Sequence, residues 1–294
     1  MSTPIKRPLS YLSLALVVFC LRGFVPHQVQ DGQSAAEPAP WRILVTNDDG
    51  YATQALGDLV AALAEHYEVV VCAPDGNRSG SSQSILAFSS VLSVRDVEIE
   101  GASRAVAIGG TPADAVSYGL LELGKDKPFD LVVSGINEGP NVGDLAHMSG
   151  TVGAAMEAIY LGVPAIAVSR GGRSQSYAAA AQFTARFVAK LQERGSRPGI
   201  VYSINVPSGE PKDMLGVAPR PMGGSFIVNR GWVERETVEG EPGAAATVEF
   251  NRDAPEGSDT KAFFEGYITI TPMHFDWTDK AALADLGTWD LKPE

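Results

Sequence analysis

Cysteine, histidine and net positive charge are all scarce in this 294-residue chain. It has two cysteines, Cys20 and Cys72, too few for a disulfide framework. Its four histidines form no cluster with them, which leaves no zinc-type ligand set. Acidic residues outnumber basic ones, 35 against 23, giving a net charge of -12. That balance argues against a protein that grips a nucleic-acid polymer through a basic surface. It leaves small phosphorylated ligands open, because a bound metal inverts the local field. No repeat of fixed period is visible. The N-terminal apolar run, Tyr11 to Leu21, is too short to span a bilayer comfortably.

What is present is ordinary for a globular protein with a real core: 45% apolar and 20% charged residues. The length suits one large domain, or one domain with an extension. The first 40 residues stand apart as a leader. Lys6 and Arg7 precede the apolar run, and a polar Pro/Ala-rich stretch follows, with a small-residue site at Ser34-Ala35-Ala36. This layout reads as a secretory signal, so the expected location is periplasmic or extracellular, and cytoplasmic if the signal does not function. Its removal would leave Cys72 alone and no stable membrane anchor. Cys20 lacks the small preceding residue that a lipoprotein signal needs.

From residue 41 the pattern is α/β. Ile43-Leu44-Val45-Thr46 is a short apolar run that ends in Asn47-Asp48-Asp49-Gly50, a buried strand opening into a loop. Leu56, Leu59, Val60 and Leu63 recur with helical spacing, and Glu68 to Ala73 is the near-continuous run of a strand buried on both faces. Strand, helix and strand make a βαβ unit. Residues 85–108 read as an excursion of short strands and turns. Thr111 and Pro112 cap a helix to about Leu123; its free N–H groups are as easily structural as anion-binding. Phe129 to Val133 is a strand opening into a Gly/Asn-rich loop, residues 134–144, and a helix follows Ser149-Gly150-Thr151. Strands at 164–168 and 200–205 flank a helix over 177–194. Beyond residue 207, Gly and Pro turns separate short β-prone runs, a β-rich extension to residue 294 that covers the site or makes subunit contacts.

In an open α/β sheet, ligands bind beyond the carboxyl ends of the strands. Four loops converge there, carrying Asp48 and Asp49, Asn77 to Ser79, Asn137 to Asn141, and Ser149 to Thr151. Adjacent carboxylates repel unless a cation sits between them. The donors are oxygens, which favours one hard divalent cation: Mg²⁺, Mn²⁺ or Ca²⁺. A Ser-Gly-Thr turn opening a helix offers hydroxyls, N–H groups and the positive end of the dipole to a phosphate. Asp48 and Asp49 also read as a plain Asp-Asp-Gly turn; the neighbouring loops favour the site. His66 reads as a surface residue, His147 equally as a surface or substrate-facing residue, and His274 has no evident partner.

The motifs ILVTNDDG, APDGNRSGSSQS, GGTPADAV, DLVVSGINEGPNVGD and SGTVGAAMEA, in this order and spacing, resemble the SurE family of metal-dependent nucleotidases over residues 42–207. The resemblance implies a Rossmann-like three-layer fold with a mostly parallel sheet. It implies a phosphatase acting on nucleoside 5′- or 3′-monophosphates, and a C-terminal β arm exchanged within a homodimer or homotetramer. It places the metal on Asp48, Asp49, Ser79 and Asn137, and the phosphate near Asn141, Ser149, Gly150 and Thr151. Asp48 and Asp49 are the expected catalytic residues, with Asp48 the better choice to accept the proton of the attacking water. The rim departs from the family pattern at residues 51–55, at Gln83 and at residues 145–148, which bears on substrate preference more than on the metal. Two rivals stand beside this reading: an aspartyl-phosphate enzyme with Asp48 as nucleophile, disfavoured because the second aspartate is adjacent, and a non-catalytic metal- and nucleotide-binding module.

Overall fold

The computed structural model describes residues 40–172 and 176–293. The signal-like leader, including Cys20, lies outside the described residues.

Arg42–Thr46 forms β1, Gln54–Ala64 α1 and Glu68–Pro74 β2. The four apolar residues spaced along α1 are all buried. Val94–Val97 is β3, Arg104–Ile108 β4, and Pro112–Tyr118 α2, which a single π turn extends to Leu123. Leu131–Glu138 is β5, Gly150–Tyr160 α3, Ala165–Arg170 β6, Ala178–Arg194 α4 and Val201–Val206 β7. Gly216–Pro219 (β8), Ile227–Glu236 (β9), Pro242–Phe250 (β10), Asp259–Glu265 (α5), Tyr267–Met273 (β11) and Lys280–Leu286 (α6) complete the chain.

The main sheet has the order β3-β4-β2-β1-β5-β6-β7-β11-β8. Strands β4 through β7 in that order are parallel, and β3 and β11 pair antiparallel with their inner neighbours. Helices α1 and α4 cover one face over a core of Leu56, Leu59, Leu63, Ile166 and Ile204. Helices α2 and α3 cover the other over Leu44, Val70, Val132 and Ala155. The fold is therefore a three-layer α/β sandwich. Connections from β1 run outward to β2 and, on the other side, the sheet continues through β5. The strand order reverses between β1 and β5, so the crevice for a ligand opens there.

Three expectations need correction. The short strands expected within residues 85–108 are β3 and β4, but β4 is a buried strand parallel to β2 and not part of an excursion; its Ala-Val-Ala-Ile run is short, and its polar surroundings disguise it. β5 continues five residues past Val133 to Glu138, so Asn137 is positioned by sheet hydrogen bonds to β6 and not by a free loop. The segment after residue 207 is not one extension, because β11 pairs with β7 and β8 pairs with β11, both inside the main sheet. Among the described residues, only the β9–β10 hairpin forms a separate sheet. Among the described residues, no helix is long and apolar enough to cross a membrane.

Candidate active site

The turn after β1 is built by its own side chains. Asn47 is fully buried; its Nδ2 donates to the Gly50 carbonyl at 2.9 Å and its Oδ1 accepts from the Gly50 N–H at 3.1 Å. Gly50 has φ +104°, and a Cβ there would lie 3.1 Å from the Gly76 backbone. Glycine thus permits both the left-handed turn and the approach of the β2 loop. That loop is tied down when the Arg78 N–H donates to the Asp48 carbonyl at 2.6 Å and the Tyr51 N–H to the Pro74 carbonyl at 2.9 Å.

Asp48 points under the N-terminus of α3. It is 3% exposed, and its Oδ1 accepts from Thr151 Oγ1 at 2.6 Å. The Gly150 and Thr151 N–H groups also favour its charged form, yet burial outweighs these donors and raises its pKa. Asp49 lies nearer the surface, accepting from Asn77 Nδ2 at 3.1 Å and from the Glu138 N–H at 3.5 Å. Its pKa is raised to about 6 by burial first, then by the charges of Asp48 and Glu138. Glu138, at the end of β5, is a participant that sequence reasoning did not single out.

A cleft of about 680 Å³ opens over this edge, and Asp48, Ser79, Asn137, Asn141 and Ser149 line it. Four of the sequence-predicted positions around Asp48 therefore meet in one cavity, although Ser79 belongs to the β2 loop and Asn137 to β5. Asp49 sits beside the cleft, joined to it through Glu138. Gly150 and Thr151 do not line it. A carboxylate this buried must find donors, and the first turn of α3 supplies them to Asp48. Ser149 caps α3, accepting from the Val152 N–H at 3.2 Å. Asn141 is held from both sides, its N–H donating to Asn205 Oδ1 at 2.7 Å and its Nδ2 to Ser169 Oγ at 2.8 Å. Asn205 and Ser169 were legible only as polar residues ending otherwise apolar strands.

The opposite wall is apolar, from Leu145, Met148, Phe226, Ile227 and Phe250, the last three at the base of the hairpin. Gln83 is turned away to Glu157 Oε2, 2.9 Å distant, and His147 stacks edge-on against Trp277, so both face a neighbouring cavity. His66 and His274 are exposed.

The donor set fits a hard cation. Two raised carboxylates adjoin, and the hydroxyls of Thr46, Ser81 and Ser134 are buried without a partner. Ser81 Oγ stands 2.7 Å from where a Gly150 Cβ would be, against the same point that Asp48 Oδ2 approaches to 3.0 Å. Among the described residues, no three His, Cys, Asp or Glu side chains gather tightly enough to hold a metal by themselves, so neutral oxygens must complete any such site.

This arrangement has clear relatives. The family model of the survival protein SurE matches residues 43–226. The chain belongs to the SurE family. The 5′-nucleotidase SurE of Geobacter metallireducens is 39% identical over 255 residues, which cover 85% of this chain and 98% of the relative. The 5′/3′-nucleotidase SurE of Klebsiella pneumoniae is 39% identical over 254 residues, or 84% and 96%. The crystal structure of the SurE protein from Aquifex aeolicus superposes with a TM-score of 0.72 at 34% identity, covering 83% and 98% of the two chains. The SurE match spans every loop of the cleft and runs through Phe226 in its apolar wall.

Proposed function

We propose that this chain is a metal-dependent phosphomonoesterase that hydrolyses nucleoside 5′-monophosphates, and 3′-monophosphates as a second class, to nucleoside and phosphate. The observation that carries the reading is the pair Asp48 and Asp49 at the switch point of the sheet, both raised in pKa, with Asp48 lining and Asp49 beside a cleft that has one polar and one apolar wall. The polar wall suits a phosphate and the apolar wall a base and sugar. The two SurE relatives named above as nucleotidases support the same assignment.

Asp48, Asp49, Ser79 and Asn137 would hold one Mg²⁺, Mn²⁺ or Ca²⁺. Such a cation supplies positive charge against the phosphoryl oxygens and makes a nearby water more acidic. Asp48, whose Oδ1 accepts from Thr151 Oγ1, would be the group to take a proton from the attacking water. Thr151 and the start of α3 keep the carboxylate oriented while its charge changes. Ser149 and the remaining N–H of Asn141 orient the phosphate, the latter fixed by Asn205 and Ser169 before substrate arrives. Phe226 and Phe250 exclude water on the nucleoside side.

The exposed Trp232, Val233 and Val248 on the β9–β10 hairpin support its role as the arm of a homodimer or homotetramer. Export by the leader is part of the proposal, and a mature protein beginning at Met1 would overturn it. The decisive assay is phosphate release from a panel of nucleoside monophosphates, with several divalent metals and a chelator control. Metal-dependent nucleotide binding without release would instead make the chain a binding module.

A further inference from the structure

We propose that Arg170 and the N-terminus of α4 form a second anion site, separate from the catalytic cleft, for inorganic phosphate or the phosphate group of a small phosphomonoester.

Arg170 is the last residue of β6, and it is 6% exposed. Its Nε and Nη1 are both buried without a hydrogen-bond partner. Guanidinium cannot shed its proton, so a buried one needs an acceptor from somewhere. Side-chain alternation along β6 shows where it points. Ile166 and Val168 join the core under α1 and α4, whereas Ser169 lies on the opposite face and meets Asn141. Arg170 follows Ile166 and Val168 to the α4 side. There it lines a cleft of about 580 Å³ with Ser176, Ala178, Ala179, Gln182 and Ser208.

Ala178 and Ala179 open α4, a 17-residue helix whose N-cap residue, Tyr177, makes no side-chain capping bond. The Tyr177 N–H donates to Asp58 Oδ2 at 3.2 Å and the Ala178 N–H to Ser176 Oγ at 3.3 Å, so among the described residues the Ala179 N–H is the first at this end without a side-chain acceptor. That N–H, at the positive end of a long helix, and the unpartnered guanidinium beside it are the two components of an oxyanion site. Glu210 and Asp213 also line the cleft; both are exposed, and solvent screens them. The linings of this cleft and the catalytic cleft share no residue, although both lie on the carboxyl edge of the sheet. The β5–β6 connection is shared: the Gly139 N–H donates to the Arg170 carbonyl at 2.8 Å, next to Asn137. Occupancy of one site is thereby linked to the strand end that shapes the other.

The test uses the metal-free Asp48→Asn protein, which keeps the second site while disabling the first. Inorganic phosphate, and glycerol phosphate in a parallel arm, are titrated against chloride at matched ionic strength, reading Tm and calorimetric binding. Phosphate should raise Tm. Adding Arg170→Leu should weaken binding by about tenfold or more, as expected for loss of charged hydrogen bonds, with Arg170→Lys in between. The Leu variant should also melt higher than its parent without anion, because an unpaired buried cation is gone; a merely structural Arg170 would make it melt lower. Tighter binding in one arm assigns the source, free phosphate or phosphomonoester. Absence of any phosphate effect, or an effect unchanged by Arg170→Leu, overturns the proposal. Neither outcome touches the nucleotidase reading, since the aspartate and metal are already removed.

Discussion

Replacing Asp49 with Asn should change stability in opposite directions with and without metal. In the metal-free protein, burial and the neighbouring charges of Asp48 and Glu138 raise the Asp49 pKa from 3.8 to about 6. A folded-state pKa above the unfolded value, for an acid, means that ionisation penalises the fold. The penalty is absent below about pH 4, grows between about pH 4 and 6, and is complete above. Taken at face value the shift corresponds to about 3 kcal/mol. Asp49 is only half-buried, and solvent screening reduces this to about 1 kcal/mol. Metal-free Asp49→Asn should therefore be more stable than the parent by about 1 kcal/mol at neutral pH and equal to it near pH 4. Saturating Mn²⁺ should reverse the order. A ligand at a hundred times its Kd stabilises by about 2.7 kcal/mol, which the variant forfeits with one of two carboxylate ligands gone. Urea denaturation at both pH values, in chelator and in Mn²⁺, measures all four terms. Nucleotidase activity should fall by at least about a hundredfold in the variant, in line with loss of a metal ligand or electrostatic catalyst. An Asn variant that is less stable than the parent without metal, or equally stabilised by Mn²⁺, refutes the reasoning.

Thr151→Val removes the 2.6 Å hydrogen bond to a buried carboxylate while keeping the side-chain shape; urea denaturation should show a loss of about 1.5–3 kcal/mol, and kcat should fall more than KM changes. Gly153→Ala would set a Cβ 2.0 Å from the Ser82 carbonyl, which is backbone and cannot swing aside; the cost should be about 1–3 kcal/mol, with activity lost because the Ser79 loop is pushed off α3. Asp259 accepts from the N–H groups of Gly143, Gly223 and Thr260, joining the turn before α3 to the segment leading into the hairpin; Asp259→Ala strands three donors and should lower stability by about 2–4 kcal/mol in thermal or urea denaturation. Cys72 is fully buried with its thiol pushed up to about 12; in a Cys20→Ser background, no thiol should react with an aromatic disulfide reagent until the protein unfolds.

Legibility in the sequence follows from how local the cause of each feature is. Glu68 to Ala73 is buried on both faces, and five apolar or small residues in a row announce it; Leu56 to Leu63 repeats a helical period that only one buried face explains. Asp48, Ser79 and Asn137 were also readable, because the carboxyl-edge rule collects loop residues from separate strands without any knowledge of side-chain direction. Direction is what the residues alone do not carry. That Thr151 donates to Asp48 is a contact across 103 residues, and no local pattern encodes it. β8 and β11 were read as an extension for the same reason. β11 lies between β7 and β8 inside the main sheet, and its Thr269 and Thr271 are buried hydroxyls that composition alone assigns to a surface strand. Arg170 shows the reverse case. A cation ending the run Ala-Ile-Ala-Val-Ser-Arg looks like the solvated end of a strand, and only the buried, unpaired guanidinium of the folded chain reveals a charge that lacks its partner. Chemistry carried by a strand end is therefore visible in the residues themselves when the partner is the next loop, and invisible when the partner is the opposite face of the sheet.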